Sequence, residues 1–260
     1  MRSEDIVRRG EHGPFDVIGD VHGCHAELVE LLGELGYAVA ADGLSATPPP
    51  GRRAVFLGDY CDRGPDTPAV LRLAMSMAAA GTAICLPGNH DVKLARKLRG
   101  RNVKIAHGLA QSVAQLEGEP EEFRLGVAEF IEGLVSHVVL DDRQLVVAHA
   151  GMREDFQGRP SAAARAFAIY GETTGETDEF GLPVRGDWAA DYRGSAAVVY
   201  GHTPVERPRW VNGTIDIDTG CVFGGRLTAL RWPERDLVSV PARRTYYEPT
   251  GARPSQTRPS

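Results

Sequence analysis

Two periods of apolar and polar positions alternate along this chain. Short apolar, β-branched runs at Phe15–Gly19, Arg53–Leu57, Thr82–Leu86, Ser136–Leu140, Gln144–Ala148 and Ala197–Tyr200 predict buried strands. Between the first two, Leu28, Val29, Leu31, Leu32 and Leu35 recur at helical spacing, predicting an amphipathic helix over Ala26 to Leu35 that Gly36 closes. Asp66 or Thr67, with Pro68, opens a second helix through Val70, Leu71, Leu73 and Met75. Further helices are predicted from about Val92 to Leu98, Gly108 to Glu117 and Glu121 to Gly133. Asp141-Asp142-Arg143 turns one strand pair, and Asn212-Gly213 turns a hairpin between Trp210 and Ile215. Asp216–Thr219 and Leu227–Leu230 add strands, while Gly151 to Arg193 reads as loop-rich. Alternating strands and helices followed by a strand-rich tail fit an α/β fold with two sheets packed face to face and helices outside.

Composition adds bounds to this layout. With 260 residues, 42% apolar and 25% charged, the chain suits one large α/β domain, expected over residues 15–249. Met1 to Pro14 is polar and aperiodic, an expected loose arm, and residues 250–260 are Pro/Ser/Arg-rich, an expected disordered tail. The net charge of -6 argues against a general nucleic-acid coat protein, because phosphate neutralisation needs a basic surface; it leaves recognition of one strand end open. Cys24, Cys61, Cys85 and Cys221 show no paired spacing and read as free thiols of a reducing cytosol. Cys24 and Cys61 lie inside the motifs described next, where thiol ligation stays open. With no charged-then-apolar leader and no apolar run of the length of a membrane span, a cytoplasmic protein is expected.

Five strand ends carry metal-ligand types: Asp20-x-His22, Asp59, Asn89, His149 and His202. Carboxyl ends of strands in α/β sheets face the crevice where ligands bind. Together the six residues are the inventory of a two-metal site in which the Asp59 carboxylate bridges. Asp20 and His22 would hold one metal, and Asn89, His149 and His202 the other. Such shells suit Mn, Fe, Zn or Ni, and a shared hydroxide between two such ions hydrolyses phosphoesters.

The motifs GDVHG, GDYCDRGPDT, GNHD, HAG and GHT, in that order, resemble the signature of the calcineurin-like metallophosphoesterases. The branch resembled contains serine/threonine protein phosphatases and diadenosine tetraphosphate hydrolases. The resemblance implies a four-layer sandwich of two mixed sheets flanked by helices. It also implies two divalent transition-metal ions, with Mn2+ foremost and Ni2+, Fe2+/3+ and Zn2+ as alternatives. On the family's pattern Arg63 grips two phosphate oxygens, His90 protonates the departing oxygen and Asp62 orients the His90 ring. Asp218 looks like support for the pocket.

The choice of phosphoester rests on two stretches. NHDVKLARKLRGRNVKIAHGLAQSVAQLE and YGETTGETDEFGLPVRGDWA resemble the phosphatase module of bacterial polynucleotide kinase-phosphatases, implying RNA or nucleotide ends bearing 2'-phosphate, 3'-phosphate or 2',3'-cyclic phosphate. The alternatives are a diadenosine tetraphosphate hydrolase or a serine/threonine protein phosphatase, and a non-catalytic metal-binding scaffold from another class. No G-x-x-x-x-G-K-[ST] loop and no K-x-D-G run occurs, so kinase and ligase steps of RNA repair would need separate partners. A monomer or homodimer is expected. From Val92 to Leu116 no acidic residue occurs, and Lys93, Arg96, Lys97, Arg99, Arg101 and Lys104 form either a solvated helix face or a phosphate-attracting rim. The polar segment Tyr170 to Gly181 is expected to cover the metals as a substrate-facing lid.

Overall fold

The computed structural model describes residues 3–177 and 183–248. The chain begins with α1 (Ser3–Ile6), β1 (Phe15–Ile18), α2 (His25–Glu34), β2 (Ala38–Val39), β3 (Ala46–Thr47), β4 (Arg53–Phe56), α3 (Thr67–Ala79) and β5 (Ala83–Cys85). There follow α4 (Asn89–Leu98), α5 (Leu109–Glu117), α6 (Glu121–Gly133), β6 (His137–Leu140), β7 (Leu145–Ala148), α7 (Ala162–Tyr170), β8 (Thr173–Thr177) and β9 (Pro183–Arg185). The last elements are α8 (Trp188–Asp191), β10 (Ala197–Tyr200), β11 (Trp210–Val211), β12 (Thr214–Asp216), β13 (Arg226–Trp232) and β14 (Asp236–Pro241).

Two five-stranded sheets carry the fold. The first has the order β14-β13-β1-β4-β5, with β1, β4 and β5 parallel and β13 antiparallel to β1. The second has the order β11-β12-β10-β7-β6, with β12, β10 and β7 parallel and β6 and β11 antiparallel at its edges. Side chains alternate across a strand, so each sheet buries two faces. Phe15, Val17, Val55 and Ile84 meet Val138, Leu145, Val147, Val199 and Ile215 between the sheets. The opposite faces, Ile18 and Phe56 on one side and Val139, Val146 and Val198 on the other, lie under helices. The result is the expected four-layer α/β sandwich.

Local chemistry explains most boundaries. Asp66 caps α3 by accepting from the Ala69 N–H at 3.1 Å, with Pro68 in the first turn. Gly36, at φ 86°, ends α2, and Asn212 and Gly213, both at positive φ, make the hairpin turn.

Three expectations are corrected. The N-terminal arm is not loose: Ile6 is fully buried, Val7 bridges Val139 on β6, and Glu11 Oε2 accepts from Arg53 Nη1 at 2.7 Å. One apolar residue and backbone pairing to an open sheet edge are enough to dock a segment without periodicity. Helix α4 starts at Asn89 rather than near Val92, because Asp91 at the third position accepts from the Gly88 N–H at 2.8 Å. The stretch read as loop-rich holds α7, whose signal was an Ala-rich run behind Ser161, which accepts from the Ala164 N–H at 3.1 Å. The lid expected over Tyr170 to Gly181 falls in part, and the tail of residues 250–260 wholly, outside the described residues. Among the described residues no helix is long and apolar enough to cross a membrane.

Candidate metal centre

All six ligand candidates converge where β1, β4, β5, β7 and β10 end. Asp59 Oδ2 lies 3.5 Å from His22 Nε2 and 3.6 Å from His149 Nε2. His149 Nε2 is in turn 3.2 Å from Asn89 Oδ1 and 3.0 Å from His202 Nδ1. Asp20 Oδ2 stands 4.0 Å from His149 Nδ1 and accepts from the His202 N–H at 3.1 Å. Asp59 therefore belongs to two groups of possible metal donors, one with His22 and His90 and the other with His149 and His202. This central place is the one expected of a bridging carboxylate.

The backbone around the centre is strained. His22, Asp59, Asp62, Arg63 and His202 all have φ between 46° and 78°, a region that side-chain-bearing residues seldom occupy. Asp91 holds part of this turn in place. Its buried carboxylate accepts from the N–H groups of Asp59 at 2.7 Å, Tyr60 at 2.9 Å and Gly88 at 2.8 Å. Two glycines make room for the carboxylates: a Cβ on Gly88 would lie 1.9 Å from Asp59 Oδ1, and one on Gly201 would lie 2.3 Å from Asp20 Oδ1.

Tautomers follow from Arg63. Its Nη1 reaches His22 Nε2 at 2.8 Å and its Nη2 reaches His90 Nε2 at 2.9 Å. A guanidinium only donates, so both Nε2 atoms accept and both rings carry their proton on Nδ1. The remaining bonds agree: His22 Nδ1 donates to Cys61 O at 2.8 Å, and His90 Nδ1 donates to Asp62 Oδ2 at 2.5 Å. Asp62 is fixed in turn by Ser112, which donates to Oδ1 at 2.7 Å and accepts from the Asp62 N–H at 2.7 Å. Arg63 and His90 thus face the same space, the fork beside the ring nitrogen.

The electrostatics call for cations. Burial first, then repulsion from Asp218, Asp59 and Asp216, raises the Asp20 carboxyl well above the usual range. Burial would raise Asp59 as well, but the surrounding imidazoles, His149 foremost, hold it far below that range. Asp218 is pushed up to about 6 by burial, with Asp59 adding to the rise, while a bond from the Gly220 N–H at 3.0 Å opposes it. Asp20 Oδ1 is buried with no hydrogen-bond partner. An orphaned carboxylate oxygen among like charges, ringed by imidazole nitrogens and an amide oxygen, fits divalent transition metals.

Every site residue expected from the sequence is here, Asp218 included. Sequence reasoning missed the parts that hold them. Asp91 was visible in GNHD but read as part of the motif only, and Ser112 carries no sequence signal because it comes from α5. Thiol ligation is not favoured: Cys61 Sγ points at Asp91 Oδ1 at 3.4 Å, and Cys24 groups with Glu27 and Cys221 rather than with Asp59. The basic run divides. Arg99 donates to Glu132 Oε2 at 2.9 Å on α6, away from the site. Lys93 lies one turn beyond His90 on α4. Partial burial, and then the nearby charges of Lys93 and Arg63, depress His107.

Comparison with known proteins fits this geometry. The family model described as calcineurin-like phosphoesterase matches residues 13–206. A protein of Anoxybacillus flavithermus named bis(5'-nucleosyl)-tetraphosphatase PrpE [asymmetrical] is 46% identical over 89% of this chain and 96% of its own. Its namesake in Halalkalibacterium halodurans is 48% identical over 88% of this chain and 94% of its own. A solved structure described as a candidate diadenosine tetraphosphatase superposes with a TM-score of 0.66 at 25% identity, over 91% of this chain and 97% of its own. A serine/threonine phosphatase of Saccharomyces cerevisiae, at 13% identity and a TM-score of 0.59 over 92% of this chain and 83% of its own, shares the fold.

Proposed function

The chain belongs to the calcineurin-like phosphoesterases and is a metal-dependent phosphoester hydrolase, and within that family we propose that it cleaves dinucleoside tetraphosphates at an unequal place along the phosphate chain. The observation that carries this is near-full-length similarity, at 46% and 48% identity, to two proteins named for that activity. The reading of RNA ends yields to it. That reading rested on two stretches, one of which lies partly outside the described residues and the other of which runs from the site residues Asn89 and His90 along α4 and through the connection after it into α5. The separate kinase and ligase partners belonged to it and fall with it.

In this proposal Asp20, His22 and Asp59 hold one divalent transition-metal ion, and Asp59, Asn89, His149 and His202 hold the other. When bound, such a pair supplies a hydroxide at neutral pH and neutralises phosphoryl charge. Arg63 turns from His22 and His90 to two oxygens of the attacked phosphate, a planar fork matched to a planar pair of acceptors. Once Arg63 has turned away, His90 would take up a second proton at Nε2, with Asp62 as its counter-charge and Ser112 fixing Asp62, and would give that proton to the leaving oxygen. Lys93 and Lys104, both near enough to depress His107, would meet the phosphates that are not attacked. A row of cations suits a polyanionic chain better than a lone monoester.

The test is a metal-supplemented substrate panel of diadenosine tetraphosphate, 3'-phosphate RNA, 2',3'-cyclic nucleotide, a phosphopeptide and p-nitrophenyl phosphate. The expected result is the highest kcat/KM on the tetraphosphate, with ATP and AMP as products. Preference for the RNA end, or two ADP as products, would overturn the proposal. Absence of all hydrolysis would instead favour a binding scaffold.

A further inference from the structure

Arg63 does not stand free in the site. Its Nε is buried with no hydrogen-bond partner, and its two terminal nitrogens reach only imidazoles. Beside the guanidinium lies an aromatic pair. The Phe223 ring centroid lies 5.2 Å from Arg63 Cζ, the Tyr247 centroid lies 5.8 Å from it, and the two rings are 6.2 Å apart in an edge-on arrangement.

Phe223 comes from the turn before β13, and Tyr247 from the end of the described residues. After β14 the backbone folds back as a strap over residues 242–248, where Tyr246 and Tyr247 both donate their N–H to Val222 O, at 3.0 and 3.1 Å. That pairing sets Tyr247 beside Phe223, which closes the short 3-10 turn Cys221–Phe223. The strap is anchored at one more point. Glu27, fully buried on α2, accepts from the Arg243 N–H at 2.9 Å and from the Tyr246 hydroxyl at 2.7 Å. Phe223 and Tyr247 both lie beyond residue 206, where the family match ends.

We propose that Tyr247, paired with Phe223, is a positioning residue for the reaction: its ring face holds the Arg63 guanidinium in the plane that grips phosphate. An arginine on a long side chain loses rotamer freedom when it clamps a ligand, and a fork already stacked loses less. The ring face also attracts the cation directly, more strongly where water is excluded. The C-terminal strap is therefore part of the active site, tied to it through Glu27 and Val222. This inference rests on Arg63 gripping phosphate, as proposed above, but not on which phosphoester is cleaved.

The experiment uses p-nitrophenyl phosphate and metal-loaded full-length protein, so it is independent of the tetraphosphate reading. Tyr247→Ala is expected to lower kcat/KM roughly three- to thirty-fold, the span of one partly desolvated cation–π contact. Tyr247→Phe keeps the ring face and should stay within about two-fold of the parent on the same reasoning. Tyr247→Leu fills the space without a π face and should lose activity like the alanine variant, with thermal unfolding followed in parallel to keep a folded comparison. In an Arg63→Ala background, Tyr247→Ala should cost nothing further. Full activity in Tyr247→Leu, or an undiminished cost in the Arg63→Ala background, would make the strap mere packing and overturn the proposal. An unchanged Arg63→Ala single variant would sink the Arg63 assignment and this inference with it.

Discussion

Asp16 and Asp20 sit four residues apart, within and just past the same strand, both buried, and the fold treats them in opposite ways. Asp16 is fully enclosed and fully answered: Tyr37 donates at 3.0 Å, Arg52 through Nε at 3.0 Å and Nη2 at 2.9 Å, and Arg231 at 3.3 Å. Asp20 has one oxygen with no partner and three carboxylates as electrostatic neighbours. A buried charge with its counter-charges built in serves the fold; one left without them is a demand for a ligand. The difference lies in position along the strand. Asp16 faces the helix layer beside the Arg52 and Arg231 side chains, while Asp20 lies past the carboxyl end, where five strands bring their polar residues to one crevice.

The largest effect should come from removing a carboxylate of the metal centre, set against removal of the answered Asp16. Asp59→Ala is expected to reduce hydrolysis of every substrate to background and bound metal to at most one equivalent, with the chain still folded. Asp16→Ala should do the reverse, lowering stability by about 3 to 5 kcal/mol, as expected for breaking a buried ion network, while activity per folded molecule persists. Elemental analysis and thermal unfolding of the two variants break the comparison if two metals remain in Asp59→Ala, or if Asp16→Ala unfolds at the parent temperature.

His90→Ala sharpens the account of the centre. General acid catalysis contributes about 10²- to 10⁴-fold where the leaving group is a poor one. An alkoxide needs the proton badly, whereas a nitrophenolate or a nucleoside phosphate needs it little. The variant should therefore lose most on 3'-phosphate RNA and least on p-nitrophenyl phosphate and diadenosine tetraphosphate. Equal losses on all three would make His90 a holder of Arg63 rather than an acid.

A smaller effect concerns pH. Asp218, raised from an ordinary 3.8 to about 6, binds its proton more tightly folded than unfolded. Between those values the folded chain holds more protons, so its stability falls as pH rises through the window, and the ionised carboxyl is destabilising above it. In chelated protein, Asp218→Asn should raise stability at pH 7 by about 3 kcal/mol and flatten the slope between about pH 4 and 6. Metal loading should abolish that gain. A variant with the parent's slope in chelator would show that Asp218 is not held in the carboxylate cluster.

The smallest effect belongs to the rim. Lys93→Gln with Lys104→Gln should raise KM for the tetraphosphate a few-fold and leave p-nitrophenyl phosphate nearly unchanged, because remote contacts contribute uniform binding. Arg99→Gln, whose partner is Glu132, should change neither. If Arg99→Gln matches the double variant, the rim is only the general charge of the surface.

The strand ends were legible because metal ligands must be polar and must follow apolar runs, a pattern that Asp20, Asp59, His149 and His202 cannot hide. The proposed helpers His90, Asp62 and Arg63 were legible through the family's motifs. Helix α7 and the docked arm at Ile6 were not, since one capping serine and one buried apolar residue leave no period to read. The site's supports were hidden for a further reason. Ser112 reaches Asp62, Glu27 anchors the strap and the Tyr247 ring comes to 5.8 Å from Arg63 Cζ from far along the chain, with no local pattern to mark them.

By itself the sequence determined the alternation of strands and helices, the inventory of candidate ligands and the place of Asp59 among them. Those follow from local rules: strand period, turn chemistry and the need of a metal for lone pairs. Only the tertiary structure decided that Asp16 is answered and Asp20 Oδ1 is not, that Arg99 pairs with Glu132 on α6, and that residues 242–248 bring the Tyr247 ring beside Arg63. Each of these depends on which distant side chains share a few ångströms of space, and that is fixed by the packing of two sheets and their helices rather than by neighbours in the chain.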